Sequence, residues 1–189
     1  MDIGLAPARR IPIRGLLTAA AYVGSVYLAN WLLLHVGTPA PGGVRTIPVW
    51  FGVSAPSGVL AAGLALTLRD YTQEWLGRAA AVGCIVAGAA LSALLSPGLA
   101  LASGAAFLIS EAADMAVYTP LRARSWLGAI VLSNTVGLVI DSALFLWLAF
   151  GSLAFIGGQV IGKLEMTILA IVIIAIARPR DRSEAANGR

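Results

Sequence analysis

Apolar residues fall into six long runs along this chain, at 15–35, 56–75, 78–95, 99–121, 126–150 and 155–177. Each is close to the roughly 20 residues an α-helix needs to cross the hydrocarbon of a bilayer, and the runs are not the ten-residue alternating segments of a barrel. Local signals bound them. Ser54 and Pro56 suit a helix start, Gly77 is the first stop signal after Trp75, and Ser96, Pro97 and Gly98 make a tight turn before the fourth run. Segment 37–54 mixes Pro39, Pro41, Gly42, Gly43 and Pro48 with Ile47, Val49, Trp50 and Phe51, and it is long for a connection. It reads either as a lid or short hairpin over one face, or as plain interfacial anchoring by Trp50 and Phe51. The predicted fold class is all-α, a polytopic membrane protein with six transmembrane helices in one bundle. The bundle covers 15–177, between an N-terminal tail, 1–14, and a C-terminal tail, 178–189.

Polar positions inside the runs carry the functional information. The fourth run, LALASGAAFLISEAADMAVYTPL, holds Glu111 and Asp114. They lie three apart, so they leave one side of a helix, with Phe107 and Tyr118 on the same stripe and Ser110 one turn before Asp114. Its alanines, Ser103 and Gly104 let other helices approach closely. In the fifth run Asn134 and Asp141 are two turns apart and share a face with Leu138 and Phe145; Ser133 lies beside them. In the sixth, Gln159, Lys163 and Thr167 are spaced four apart, while Glu165 points away from Lys163. The partner of Lys163 is therefore expected on another helix, as Glu111, Asp114 or Asp141. At the end of the second run, Asp70 and Glu74 are one turn apart with Gln73 beside them, which suits a wetted helix end as well as a functional role. Ionisable groups at membrane depth face partners, cavities or solute paths. The plainer alternative is that these carboxylates only tie helices together.

Composition sharpens the class. The 189 residues are 59% hydrophobic and 12% charged, with mean hydropathy +0.87, whereas soluble domains average about 45–50% and about 25%. An integral membrane protein follows. A lone cysteine, Cys84, excludes an intrachain disulfide and a cysteine metal cluster. The lone histidine, His35, gives no HExxH pattern and reads as an interfacial residue. No nucleophile with a histidine base and no phosphate-cradling glycine loop is present, so no catalytic residue, metal or cofactor is assigned. A small membrane enzyme using paired carboxylates, or an accessory subunit, stays open as an alternative to a transporter.

The net charge of +4 and pI near 9.8 come from arginines at helix ends, which fit a membrane face better than a nucleic acid. Arg9, Arg10 and Arg14 precede the first run, and Arg69 and Arg78 stand near the 75–78 turn. Arg122 and Arg124 follow the fourth run, and Arg178, Arg180, Arg182 and Arg189 the sixth. The opposite side carries only Arg45. The positive-inside rule then puts both termini in the cytoplasm and the chain in the cytoplasmic (inner) membrane. The first run is too long for a cleavable signal peptide.

Three segments resemble one family. RDYTQEWLG (69–77), ALASGAAFLISEAADMAVYTPLR (100–122) and SNTVGLVIDSALFLWLAFG (133–151) look like the queuosine-precursor transporters, also called the VUT or vitamin uptake family. Its second-helix pattern Asp-x-x-x-Glu-x-x-Gly is matched by Asp70, Glu74 and Gly77. Its fourth-helix Ala-Ser and Ser-x-x-x-Asp are matched by Ala102, Ser103, Ser110 and Asp114. Its fifth-helix Ser-Asn, acid and aromatic are matched by Ser133, Asn134, Asp141 and Phe145. The chain departs at Glu111, where many members have glutamine, and at Leu99, Leu101 and Leu132, near which they carry basic residues.

The resemblance implies uptake of 7-deazaguanines such as 7-cyano-7-deazaguanine, by a six-helix fold like the substrate-binding subunits of vitamin uptake systems. A guanine-like ring offers adjacent N–H and NH2 donors that a carboxylate accepts together, and flat faces that stack on aromatic rings. Glu111, Asp114 and Asp141 are the candidate acceptors; Asn134 and Gln159 can read the carbonyl edge, and Lys163 supplies the internal cation. Phe107, Trp50, Phe51 and Trp147 are candidate stacking partners. The expected partners are this small molecule and the lipid bilayer, with no nucleic acid. A homo-oligomer or an energising subunit stays open.

Overall fold

The structure is a computed structural model that describes residues 12–177. The tail expectations, and with them Arg9, Arg10, Arg178, Arg180, Arg182 and Arg189, lie outside the described residues. Six helices follow the predicted runs: α1 (Ile13–His35), α2 (Val59–Leu76), α3 (Arg78–Ala93), α4 (Pro97–Leu121), α5 (Trp126–Phe150) and α6 (Ile156–Ala177). Among the described residues, α1, α4 and residues Val131–Phe150 of α5 are long and apolar enough to cross a membrane; α3 is apolar but shorter. At about 1.5 Å per residue, the 18 residues of α2 and 16 of α3 reach less far than the 25 of α4 or α5.

The helix ends obey local chemistry. Ser96 caps α4 by accepting from the Leu99 N–H, with Pro97 in the first turn, and Ser125 caps α5 by accepting from the Gly128 N–H at 3.1 Å. Gly77 alone joins α2 to α3. Its φ of +89° lies in the region that favours glycine, and this lets the chain reverse within one residue.

The expectation of an all-α chain needs one correction. Segment 37–54 and the residues just after it form a three-stranded antiparallel sheet, β1 (Thr38–Pro39), β2 (Arg45–Pro48) and β3 (Ser54–Pro56), in the order β1-β2-β3. Thr46 pairs with Thr38 on one side and Pro56 on the other. Glycines at positive φ, Gly42 and Gly43, turn the first hairpin, and Phe51 (φ +61°) with Gly52 turns the second. The sheet is a cover rather than a separate layer. Val49, Ala55 and Val59 bury against each other with Ile161 of α6, and the Ser57 hydroxyl donates to the Leu32 carbonyl of α1 at 2.9 Å.

Polar and apolar positions are distributed inside-out relative to a soluble protein. Leu17, Leu101, Leu108, Val131, Trp147 and Leu148 are exposed, while Asn30, Thr67, Ser110, Ser142, Gln159 and Lys163 are buried. Lipid removes the penalty on the first set, and the second set must find partners within the bundle. The most extensive helix pairing is α4 with α5; α1 packs on α2 and α3, and α2 on α6.

Candidate functional site

Two ion pairs hold the interior. Lys163 of α6, only 2% exposed, donates to the Asp141 carboxylate of α5 and to the Ser142 hydroxyl at 3.1 Å. Of the three acids offered by sequence, Asp141 is the one that takes this lysine. Glu111 of α4 has a different cation. The Arg69 guanidinium of α2 donates to Glu111 and, at 2.7 Å, to its neighbour Asp70, with its carbon 5.8 Å from the Phe107 ring centroid. An arginine near a helix end reads in sequence as a topology marker, and nothing in its spacing reveals a partner 42 residues away.

Two cavities lie in the interior, and Asp141 lines both. The first lies toward the sheet, has about 730 Å³ of empty space including its mouth, and draws lining residues from all six helices. Tyr22, Asn30 and Ser103 form part of its wall with Phe107, Phe145 and Gln159, and Asp141 and Lys163 close it. Ser103 donates to the Asn30 side-chain oxygen at 3.2 Å. The Tyr22 hydroxyl and the Gln159 side-chain oxygen, on residues 1% and 2% exposed, have no partner among the described residues. Buried polar atoms are normally satisfied, so these two are open hydrogen-bonding positions on residues that line the cavity. Its only charged lining groups are Asp141 and Lys163, which neutralise each other.

The second cavity lies toward Gly77, with about 750 Å³ of empty space, and is acidic. Arg69, Asp70, Glu111 and Asp114 line it, with Asn134, Thr135 and Thr67, and Asp141 borders both cavities.

The sequence-derived site residues therefore divide. Glu111, Asp114, Asn134 and Asp141 share the Gly77-side cavity, whereas Phe107, Gln159 and Lys163 share the sheet-side cavity with Asp141. Asp70 lines the former through its pair with Arg69; Glu74 is exposed and lines neither. Trp50, Phe51 and Trp147 are exposed and line neither cavity, because Trp50 and Phe51 turn outward in the second hairpin. The Trp50 backbone N–H instead donates to Glu165 at 3.2 Å, which gives that acid its partner. Sequence reasoning passed over Tyr22 and Asn30. A signal existed: Tyr22, Val26, Asn30 and Leu33 recur at helical spacing, and an asparagine within an apolar run needs a partner.

Residues 92–177, from the end of α3 through α6, match a family model described as "Putative vitamin uptake transporter". This stretch is VUT-like. It contains the segments at 100–122 and 133–151 that carried the resemblance, and so both the Asp114 and the Asp141 motifs; the Asp70–Glu74 motif of α2 lies outside the match. No curated protein and no solved structure matches the chain. The VUT-like part supplies Asp114, Asn134, Asp141 and Lys163, while α1 and α2 complete the cavities with Tyr22, Asn30 and Arg69. The long apolar helices, together with the family match over residues 92–177, support a membrane protein.

Proposed function

We propose that this protein takes up a neutral, flat nitrogen heterocycle, a 7-deazaguanine such as 7-cyano-7-deazaguanine, across the cytoplasmic membrane. The observation that carries the reading is the sheet-side cavity, with two unpartnered polar atoms, aromatic rings and no net charge. Charge speaks against a carboxylate or a quaternary cation, which would meet no free counter-charge there, and burying an unpaired charge is costly. A deazaguanine suits it. The Gln159 oxygen accepts from the ring's donor edge, the Tyr22 hydroxyl donates to an acceptor, and Phe107 and Phe145 offer faces for stacking. Asp141, at the floor of this cavity and the roof of the other, is the carboxylate the base meets as it passes toward Glu111, Asp114 and Asn134. Glu111 is already held by Arg69, which speaks against the paired-carboxylate enzyme.

The test is uptake of labelled 7-deazaguanines by cells that lack their own route. Tyr22→Phe and Gln159→Leu each remove one hydrogen-bonding group, about 0.5–1.5 kcal/mol and up to roughly tenfold in affinity. Uptake should fall accordingly, with unchanged protein level in the membrane. Uptake of a carboxylate vitamin instead of the base would overturn the reading.

A further inference from the structure

We propose that the Gly77-side cavity is a proton site centred on Asp114, and that loading and unloading it powers the movement of substrate through the sheet-side cavity. The first ground is the allocation of charge. Arg69 of α2 is taken by Asp70 and Glu111, and Lys163 of α6 is taken by Asp141 of α5. Arg78, at the start of α3, is exposed and does not line the cavity, and Arg122 lies over the Tyr118 ring at the end of α4. Among the described residues Asp114 has no cation in an ion pair with it, and its Oδ1 is buried with no partner. A carboxylate shielded from both water and a counter-charge is costly, and binding a proton is one way to remove that cost.

The second ground is independent of the acids. Thr67 of α2 lines the same cavity, is 7% exposed, and its hydroxyl has no partner among the described residues. A threonine inside a helix commonly gives its hydroxyl to the carbonyl one turn earlier, as Thr135 does to Val131 at 2.7 Å. Thr67 does not. Asp114 and Thr67 thus present two buried, unsatisfied oxygens to one space. The carboxylate of Asp114 can only accept, whereas its protonated form can also donate, and the Thr67 hydroxyl on that wall can do either.

The chemistry is one proton transfer. The Asp114 carboxylate takes a proton from water to become the neutral acid and later returns it to water; no other bond changes. Asn134 and Thr135 add polar side chains to the same wall. Asp141 borders both cavities, so neutralising Asp114 changes the field on the Asp141–Lys163 pair that closes the substrate cavity.

The transport arm of the test rests on the uptake reading; a spectroscopic arm does not. The full chain is reconstituted in vesicles with labelled 7-cyano-7-deazaguanine. A gradient of one pH unit, acid on the side of entry, should concentrate the base about tenfold inside if one proton moves with each molecule, and a sodium gradient at equal pH should not. Asp114→Asn should abolish that accumulation, any exchange it retains should no longer vary with pH, and Asp114→Glu should restore part of the drive. Base exchange without response to the pH gradient, or accumulation driven by sodium, overturns the proton site and leaves the uptake reading intact. Absence of any exchange sinks the uptake reading instead. The site is then judged by infrared titration of the purified protein: a protonated-carboxyl band that Asp114→Asn removes supports it, and its absence from acid to neutral pH overturns it.

Discussion

Lys163 and Asp141 show what a buried pair does here. Removing one member of a buried pair costs about 3–5 kcal/mol in soluble proteins, but interhelical polar contacts in membranes average only about 0.6 kcal/mol. Lys163→Met keeps the volume and leaves Asp141 uncompensated beside Ser142, so a loss between these bounds is expected, read as lowered thermal stability in detergent. The double variant Lys163→Met with Asp141→Leu removes both charges, and stability should return toward wild type. Uptake should not return with it, because Asp141 lines both cavities. If the double variant transports normally, the pair is a structural tie and nothing more. That outcome would restore the plainer reading of the carboxylates.

At the scale of elements, the sheet and α6 are built to touch. Gly158 sits in the first turn of α6, where a Cβ would overlap the Ser54 carbonyl and crowd Ala55 of β3. Backbone cannot step aside as a flexible side chain can, so Gly158→Ala should behave as overpacking and cost about 1–3 kcal/mol. The reading is a lower melting temperature together with faster proteolysis of residues 41–52; an unchanged protein would mean that the sheet is not anchored there. Helices were legible in the sequence for a plain reason. Run length and local signals such as Gly77 and the Ser96–Gly98 turn report local geometry, and the ends of α1 to α6 fall within a few residues of expectation. The sheet was legible only as one of two alternatives. Its strands are two to four residues long, rich in proline, and held by pairing and by α6 rather than by their own pattern. Charge partners followed the same divide. Glu165 and Lys163 were correctly read as facing apart, since that is helix geometry. The Arg69–Glu111 pair depends on how α2 meets α4, which no local signal encodes.

For the whole molecule, the arrangement of charges predicts which face of the membrane each end occupies. Gly77 and residues 122–124 carry arginines nearby, whereas the sheet carries only Arg45, and Arg45 is occupied in donating to the Gly37 carbonyl at 3.1 Å. If short, arginine-rich connections stay in the cytoplasm, the sheet lies outside, and the sheet-side cavity is where substrate enters. The chain is suited to a direct test because Cys84 is its one cysteine and can be replaced by serine. In that background, Phe51→Cys places a thiol at a hairpin tip that is 86% exposed, and a membrane-impermeant reagent should label it on intact cells. Ala123→Cys, between Arg122 and Arg124 and also exposed, should label only after the membrane is opened. The reverse pattern would turn the molecule over. The acidic cavity with Asp114 would then face the medium, the neutral cavity the cytoplasm, and the direction of transport argued from the two cavities would have to be reversed with it.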